Sequence, residues 1–82
     1  MIFPTDLKET VIDILGDSQE VDKFIESTDL FVYHFGLGMQ IRNHYKLWKD
    51  KELEKYIEED EFIHPDDISY DWMLEAQKQM KV

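Results

Sequence analysis

The side chains best suited to chemistry in this sequence are three histidines, one arginine and two adjacent aspartates: His34, Arg42, His44, His64, Asp66 and Asp67. Imidazole and carboxylate groups together are typical ligands of zinc or iron. The histidines are ten and twenty residues apart, so none forms the His-x3-His pair that places two ligands on one helical face. We therefore expect neither a bound metal nor a cofactor.

Arg42 has two interpretations. It lies one helical turn beyond Gly36-Leu37-Gly38, whose glycines permit a tight bend or a close helix contact. From there its guanidinium can reach Asp66 or Asp67 and form a bidentate ion pair, which would be a structural clamp. Alternatively, Arg42 and the three histidines line a pocket for an anionic ligand. We favour the clamp.

The motifs of common enzyme classes do not occur in the sequence. The segment Gly36-Leu37-Gly38 is not a dinucleotide fingerprint, because Ile41 stands where the third glycine belongs and no βαβ pattern surrounds it. Asp66 and Asp67 have the chemistry for acid–base catalysis, but at the start of a helix they are better explained as partners of the helix dipole. We expect a protein without enzymatic activity.

The elements that position these residues are predicted to be helices, beginning with two in the N-terminal third. The first starts after Thr5 or Asp6 and ends at Gly16, a left-handed C-cap. The sequence 17–20 is typical of a capping box, with Asp17 as the N-cap of the second helix and Glu20 three positions on. Residues 27–29 either interrupt that helix or cap a new one. The apolar faces comprise Leu7, Val11, Ile14 and Leu15, then Val21, Phe24 and Ile25.

The central residues 30–35 form an apolar and aromatic run that suits a buried strand or a buried helix. We favour a helix, because no second strand candidate exists to pair with it and a lone strand leaves its backbone groups unsatisfied. A largely apolar helix then continues to Trp48, with Arg42 and Lys46 pointing outward. Asp50 begins another helix. The apolar residues of these two helices are Met39, Ile41, Tyr45, Leu47 and Trp48, then Leu53, Tyr56 and Ile57.

The C-terminal helix is predicted to begin at Pro65, since proline suits the first turn and Asp66 and Asp67 complement the positive end of the helix. Residues 59–61 are expected to form a solvated turn, after which residues 62–63 return to the core. The helix carries Ile68, Trp72, Met73, Ala76 and Met80 at helical spacing. The prediction is therefore an all-α compact single domain, residues 1–82, with four or five short helices around an aromatic-rich core.

Three ordered motifs carry a resemblance to a known family. They are the segment 33–43 (YHFGLGMQIRN), the pair Leu47-Trp48, and the segment 64–69 (HPDDIS). This pattern resembles an uncharacterised family of small bacterial domains, a domain of unknown function, over about residues 33–74. The family usually has a glycine before each of the last two motifs, whereas this chain has Tyr45-Lys46 and the acidic residues 59–61. The resemblance implies the fold and a bacterial or phage origin, and it implies no activity.

Charge separates the chain into two acidic ends and a weakly basic centre. The formal charge of −10 over 82 residues divides into −6 for residues 1–31, +2 for residues 32–57 and −6 for residues 58–82. Such acidity disfavours binding to nucleic acid or to an anionic membrane. The absence of cysteine excludes a disulfide-stapled miniprotein, and the N-terminus lacks a secretory pattern, so we expect a cytoplasmic protein.

A protein partner with a basic surface is the interpretation that this charge favours, since carboxylate-rich faces attract basic proteins over long range. An immunity-type or phage-encoded inhibitor would act in this way; the alternatives are acids that only maintain solubility and a small ligand- or metal-binding domain around His34, Arg42 and residues 64–67. Aromatic side chains left outside the core would add a contact patch, which leaves homo-oligomers open. The candidate acidic faces comprise Asp13, Asp17, Glu20, Asp22, Glu58, Glu59, Asp60 and Glu61.

Overall fold

The protein is all-α in the computed structural model, which describes residues 2–57 and 64–81. No strand occurs in these two ranges, so the predicted fold class is confirmed. The predicted solvated turn and core return at 59–63 lie outside the described residues. The elements are α1 (Leu7–Leu15), α2 (Ser18–Glu26), a 3₁₀ helix (Leu30–Tyr33), a π-helix (His34–Gly38), α3 (Met39–His44), α4 (Asp50–Leu53), a second 3₁₀ helix (Glu54–Tyr56) and α5 (Pro65–Met80).

The boundary between α1 and α2 follows the predicted capping chemistry. Gly16 has φ of 92° and donates its N–H to the Ile12 carbonyl at 3.1 Å, as expected of a left-handed C-cap. The Asp17 carboxylate accepts a 2.8 Å hydrogen bond from the Glu20 N–H, which makes Asp17 the N-cap of α2. At the start of α1, Asp6 occupies the N-cap position without a capping side-chain bond, because its carboxylate accepts from a tyrosine instead.

Residues 27–29 both end one helix and start the next, so the two predicted alternatives occur together. Ser27 has extended backbone angles after α2, and the Asp29 carboxylate accepts from the Phe31 N–H at 3.0 Å. From Leu30 to His44 the chain is helical throughout, passing from 3₁₀ through π to α geometry. The choice of helix over strand for residues 30–35 is confirmed. We refer to residues 30–44 as the central helical run.

Gly38 provides the close helix contact that was one of the two predictions for the glycine segment. A Cβ atom at this position would lie 3.2 Å from Arg42 Nη1 and 3.6 Å from Met73 Cε. Both glycines lie inside the π-helix, with Gly38 at φ of −58°, so the backbone stays helical through this segment. Glycine at position 38 therefore keeps the central helical run close to α5.

The predicted helix to Trp48 is wrong, because α3 ends at His44. Lys46 has φ of 55°, its N–H bonds to the Asn43 carbonyl, and the Leu47 N–H bonds to the Arg42 carbonyl at 2.9 Å. These two bonds around a left-handed residue are those of a Schellman motif. The turn leaves Trp48 61% exposed while Leu47 is buried. Lys46 thus adopts a backbone conformation that favours glycine.

The core is built on α5. Ile68, Trp72, Met73 and Ala76 are all fully buried, which confirms their predicted spacing. Trp72 packs edge-on against two tyrosines, with ring centroids 5.1 Å from Tyr45 and 4.8 Å from Tyr56. The partners of α5 in this core are Leu7, Val11, Phe24, Leu30, Leu37, Ile41 and Leu47.

Gln77 connects α5 to the end of α2 through polar contacts that the apolar pattern does not reveal. Its amide Nε2 donates to the Phe24 carbonyl at 2.9 Å and to the Ser27 carbonyl at 2.7 Å. Carbonyl groups at a helix C-terminus have no partner inside the helix, so the buried amide satisfies them. Neither α5 nor any other helix in the described ranges has the length and apolar character to cross a bilayer.

The left-handed conformation of Lys46 predicts that Lys46→Gly stabilises the protein. A non-glycine residue in the left-handed region costs about 1 kcal/mol of strain in the folded state. This cost exceeds the free energy lost through the greater flexibility of glycine in the unfolded chain, so we expect the free energy of unfolding in urea to rise by about 0.5 kcal/mol. Lys49→Gly is the matched control, because Lys49 does not have a positive φ, and it should lower stability. Equal losses in the two variants would contradict this account.

The Tyr45 hydroxyl predicts a high-pH transition. It donates to Asp6 Oδ1 at 2.8 Å and lies 3.0 Å from Thr10 Oγ1. Burial, reinforced by the Asp6 carboxylate, raises the pKa of Tyr45 to about 12. Since the folded-state pKa is raised, the contribution of the neutral hydroxyl to stability is complete below pH 10 and is lost as the pH rises through about 12. The urea midpoint should therefore fall more steeply over this interval in the wild type than in Tyr45→Phe, and parallel curves would refute the prediction.

Candidate functional site

Arg42 lies at the centre of the candidate site and points inward, which corrects the expectation that it faces solvent. Its side chain is 15% exposed. Nη1 donates to Ser69 Oγ at 2.8 Å, Nη2 donates to the His34 carbonyl at 3.4 Å, and Nε lies 3.4 Å from Asp66 Oδ1. The guanidinium therefore joins α3, the π-helix and the first turns of α5.

Asp66 is held in place by its neighbours at the start of α5. Two histidine nitrogens lie near its Oδ2 atom in addition to Arg42. The distance is 4.0 Å to His34 Nε2 and 3.7 Å to His64 Nδ1. His64 is the N-cap, and its Nδ1 accepts the Asp66 backbone N–H at 3.2 Å. Arg42 is the partner of Asp66 that carries a permanent charge within the described residues.

The structure brings together most, but not all, of the residues predicted for this site. Arg42, Asp66, His34 and His64 are neighbours, whereas His44 is exposed and packs against Tyr45. The predicted bidentate pair is replaced by a guanidinium shared among three partners. Asp67, the other predicted partner of the arginine, is exposed and points into a pocket beside Asp66.

His34 and His64 are the two histidines that lie close to the Asp66 carboxylate. No group of three histidine or acidic side chains with the geometry to hold a metal ion occurs among residues 2–57 and 64–81. Glu61 stands three residues before His64, a Glu-x-x-His spacing whose first member lies outside the described residues.

A pocket of about 210 Å³ lies against the exposed side of Asp66, and we call it the acidic pocket. Aromatic rings and carboxylates line it together, and the arginine does not. The lining residues are Phe31, His34, Asp66, Asp67 and Tyr70.

An exposed aromatic surface adjoins this pocket, and sequence reasoning anticipated its existence but not its position. Phe31 is 61% exposed and Phe35 is 77% exposed, while Val32 and Met39 are also open to solvent. The Phe31 ring stacks in parallel with His34 at 5.5 Å, and His34 meets the Phe35 ring edge-on at 5.0 Å. We call Phe31, Val32, Phe35 and Met39 the aromatic patch. Phe31 belongs to the patch and also lines the pocket, and the His34 ring of the pocket contacts both Phe31 and Phe35, so the two features adjoin as one surface.

Some residues of the predicted acidic faces on α1 and α2 make contacts within their own helix. Asp17 caps α2, and the Glu20 carboxylate lies 3.6 Å from Lys23 Nζ. Asp13 and Asp22 are exposed. The remaining predicted residues, Glu58, Glu59, Asp60 and Glu61, lie outside the described part of the chain.

The shared guanidinium predicts that Arg42→Lys destabilises the protein. An ammonium group cannot reach all three partners, so the substitution leaves buried polar groups unpaired and should cost about 1 to 3 kcal/mol in urea unfolding. Lys55→Ala removes an exposed cation that pairs with Glu52 at 3.0 Å and should leave the urea midpoint unchanged. An Arg42→Lys variant as stable as the wild type would show that these contacts do not hold the fold.

Comparison with known proteins gives a family and no further relative. No curated protein and no solved structure matches the chain. A family described as a domain of unknown function (DUF6794) matches residues 3–77, which include every residue of the acidic pocket and the aromatic patch. The chain belongs to the DUF6794 family.

Proposed function

We propose that this protein is a non-enzymatic binding domain for a protein partner with a basic surface. The observation that carries the proposal is the continuity of the aromatic patch with the acidic pocket. Exposed apolar side chains supply contact area that water does not solvate well, and contiguous patches of this kind mark interaction sites. The adjacent carboxylates favour a partner that places basic groups beside its own apolar residues.

The charge distribution supports a basic partner. Residues 30–41 contain no aspartate, glutamate, lysine or arginine, although the whole chain has a charge of −10. A partner can therefore contact the aromatic patch without desolvating charges there, while the surrounding acids increase its rate of encounter. An inhibitor of the immunity type, or one encoded by a phage, that covers a nucleic-acid-binding surface is the form of this function that we favour.

The alternative of an anion-binding site around Arg42 receives less support from the geometry. All three guanidinium nitrogens face protein oxygens, and the pocket beside them is lined by carboxylates rather than by the arginine. An anion would have to displace Ser69 or Asp66 from Arg42 and would meet Asp67. The same arrangement favours a cationic or apolar partner group.

The proposal predicts that Phe35→Ser abolishes capture of the partner. Tagged protein is incubated with lysate of the source organism at low and at high salt, and bound proteins are quantified by mass spectrometry. A protein recovered by the wild type at low salt should fall about tenfold or more with Phe35→Ser, because truncating a central aromatic residue of an interface typically costs more than 1 kcal/mol. Its recovery should also fall at high salt, since exposed charges are then screened.

Leu74→Ser is the matched control, because Leu74 is also an exposed apolar residue but lies outside the patch. Circular dichroism confirms that each variant is folded. Recovery that is equal for all three proteins, or independent of salt, would contradict the proposal.

A further inference from the structure

The walls of the acidic pocket combine aromatic rings with carboxylates. Phe31 and His34 stack with an interplanar angle of 3°, and Tyr70 contributes a third ring. Asp66 and Asp67 contribute carboxylates to the same pocket of about 210 Å³. Aromatic faces attract cations, and carboxylates bind them by charge-assisted hydrogen bonds. The pocket is therefore suited to an organic cation.

The two carboxylates of the pocket are not equivalent. Asp66 is paired with Arg42, whereas Asp67 has no ion-pair partner among the residues that the structure describes. The N-terminal end of α5 carries a partial positive charge that offsets about half of one carboxylate charge. One turn further along α5, burial and then the Asp67 charge raise the pKa of the Asp71 carboxyl, as expected where negative charge is not fully compensated. Asp67 is thus the carboxylate available to an incoming cation.

A second pocket on α5 differs from the acidic pocket in its lining. It has a volume of about 310 Å³ and is lined by Phe3, Asp71, Leu74, Glu75 and Lys78. Its carboxylates share the pocket with the Lys78 ammonium, and Phe3 is the one aromatic residue in the lining that the structure describes. Among the described residues, the lining of the acidic pocket contains no lysine or arginine and has two phenyl or phenol rings.

We propose that the acidic pocket binds an arginine side chain of the protein partner. Guanidinium is planar and stacks on aromatic rings, and it can place two N–H groups on one carboxylate, which an ammonium group cannot do. The pocket volume admits the guanidinium and the adjoining part of its stem. Phe31 belongs to both the acidic pocket and the aromatic patch. The bound arginine therefore lies next to the apolar residues with which the partner contacts the patch. This inference rests on the proposed protein-binding function.

The test is titration of the full-length ¹⁵N-labelled protein with N-acetyl-arginine amide, followed by ¹H–¹⁵N NMR. A fragment of this size should bind with a dissociation constant on the order of millimolar. We expect saturable shifts concentrated at residues 31, 34, 67 and 70. N-acetyl-citrulline amide, which has nearly the same shape and no charge, should cause much smaller shifts, and N-acetyl-lysine amide should bind more weakly than the arginine compound.

Asp67→Asn should weaken the arginine compound about fivefold or more, because it removes the carboxylate that faces the cation. Asp22→Asn is the matched control: it removes the same charge from an exposed site on α2 and should leave binding unchanged. Equal shifts with citrulline, equal effects of the two variants, or unsaturable shifts spread over all acids would overturn the proposal. Lysine binding as tight as arginine would overturn the assignment to arginine.

The two proposals fail separately. Lysate capture that depends on Phe35, together with no response to the arginine compound, would retain the protein-binding function and refute the pocket assignment. A saturable response at the pocket with capture unaffected by Phe35→Ser would confirm the arginine site and refute the proposed interface.

Discussion

The shared guanidinium of Arg42 fixes the relation between the central helical run and α5. The guanidinium is largely buried, so each of its nitrogen atoms needs a partner, and three groups on two elements supply them: the His34 carbonyl on the π-helix, and Asp66 and Ser69 on α5. Glycine at position 38 leaves space for the guanidinium, because a Cβ atom there would lie 3.2 Å from Nη1 and would require a small shift. Gly38 and Arg42 therefore form one packing constraint, because the absence of a side chain on the glycine leaves the space that the guanidinium occupies.

The same constraint shapes the outer surface. Arg42 binds the backbone of His34 and the side chain of Asp66, which are both walls of the acidic pocket. The inner side of the central helical run is used for the core through Leu37 and Ile41, so Phe31 and Phe35 on its other side stay in solvent. Exposing two phenylalanines gives up burial energy that a chain of this size can hardly spare. That loss favours a role for the patch in binding.

How much of this was predictable depends on the range of each interaction. Apolar spacing on α5 and the caps at Gly16 and Asp17 are local signals, and both predictions are confirmed. Apolar spacing also continues past His44, and nothing local marks Lys46 as left-handed, so the end of α3 was missed. Periodicity placed Arg42 outward, whereas the chemistry of the residues suggested the contact with Asp66, 24 residues away; the bond to Ser69, 27 residues away, was not anticipated. The Gln77 amide was missed for the same reason.

The structure also changes what the acidity of the chain can explain. Asp17 and Asp29 cap helices, and Asp66 pairs with Arg42, so these carboxylates stabilise local structure. Net charge acts over long distances and mainly raises the rate at which a basic partner arrives. How long the partner stays depends on close contacts, since most differences in affinity arise from dissociation. In the interface that we propose, specific recognition depends on Asp67 and the aromatic rings around it, where charge and apolar area meet at one place.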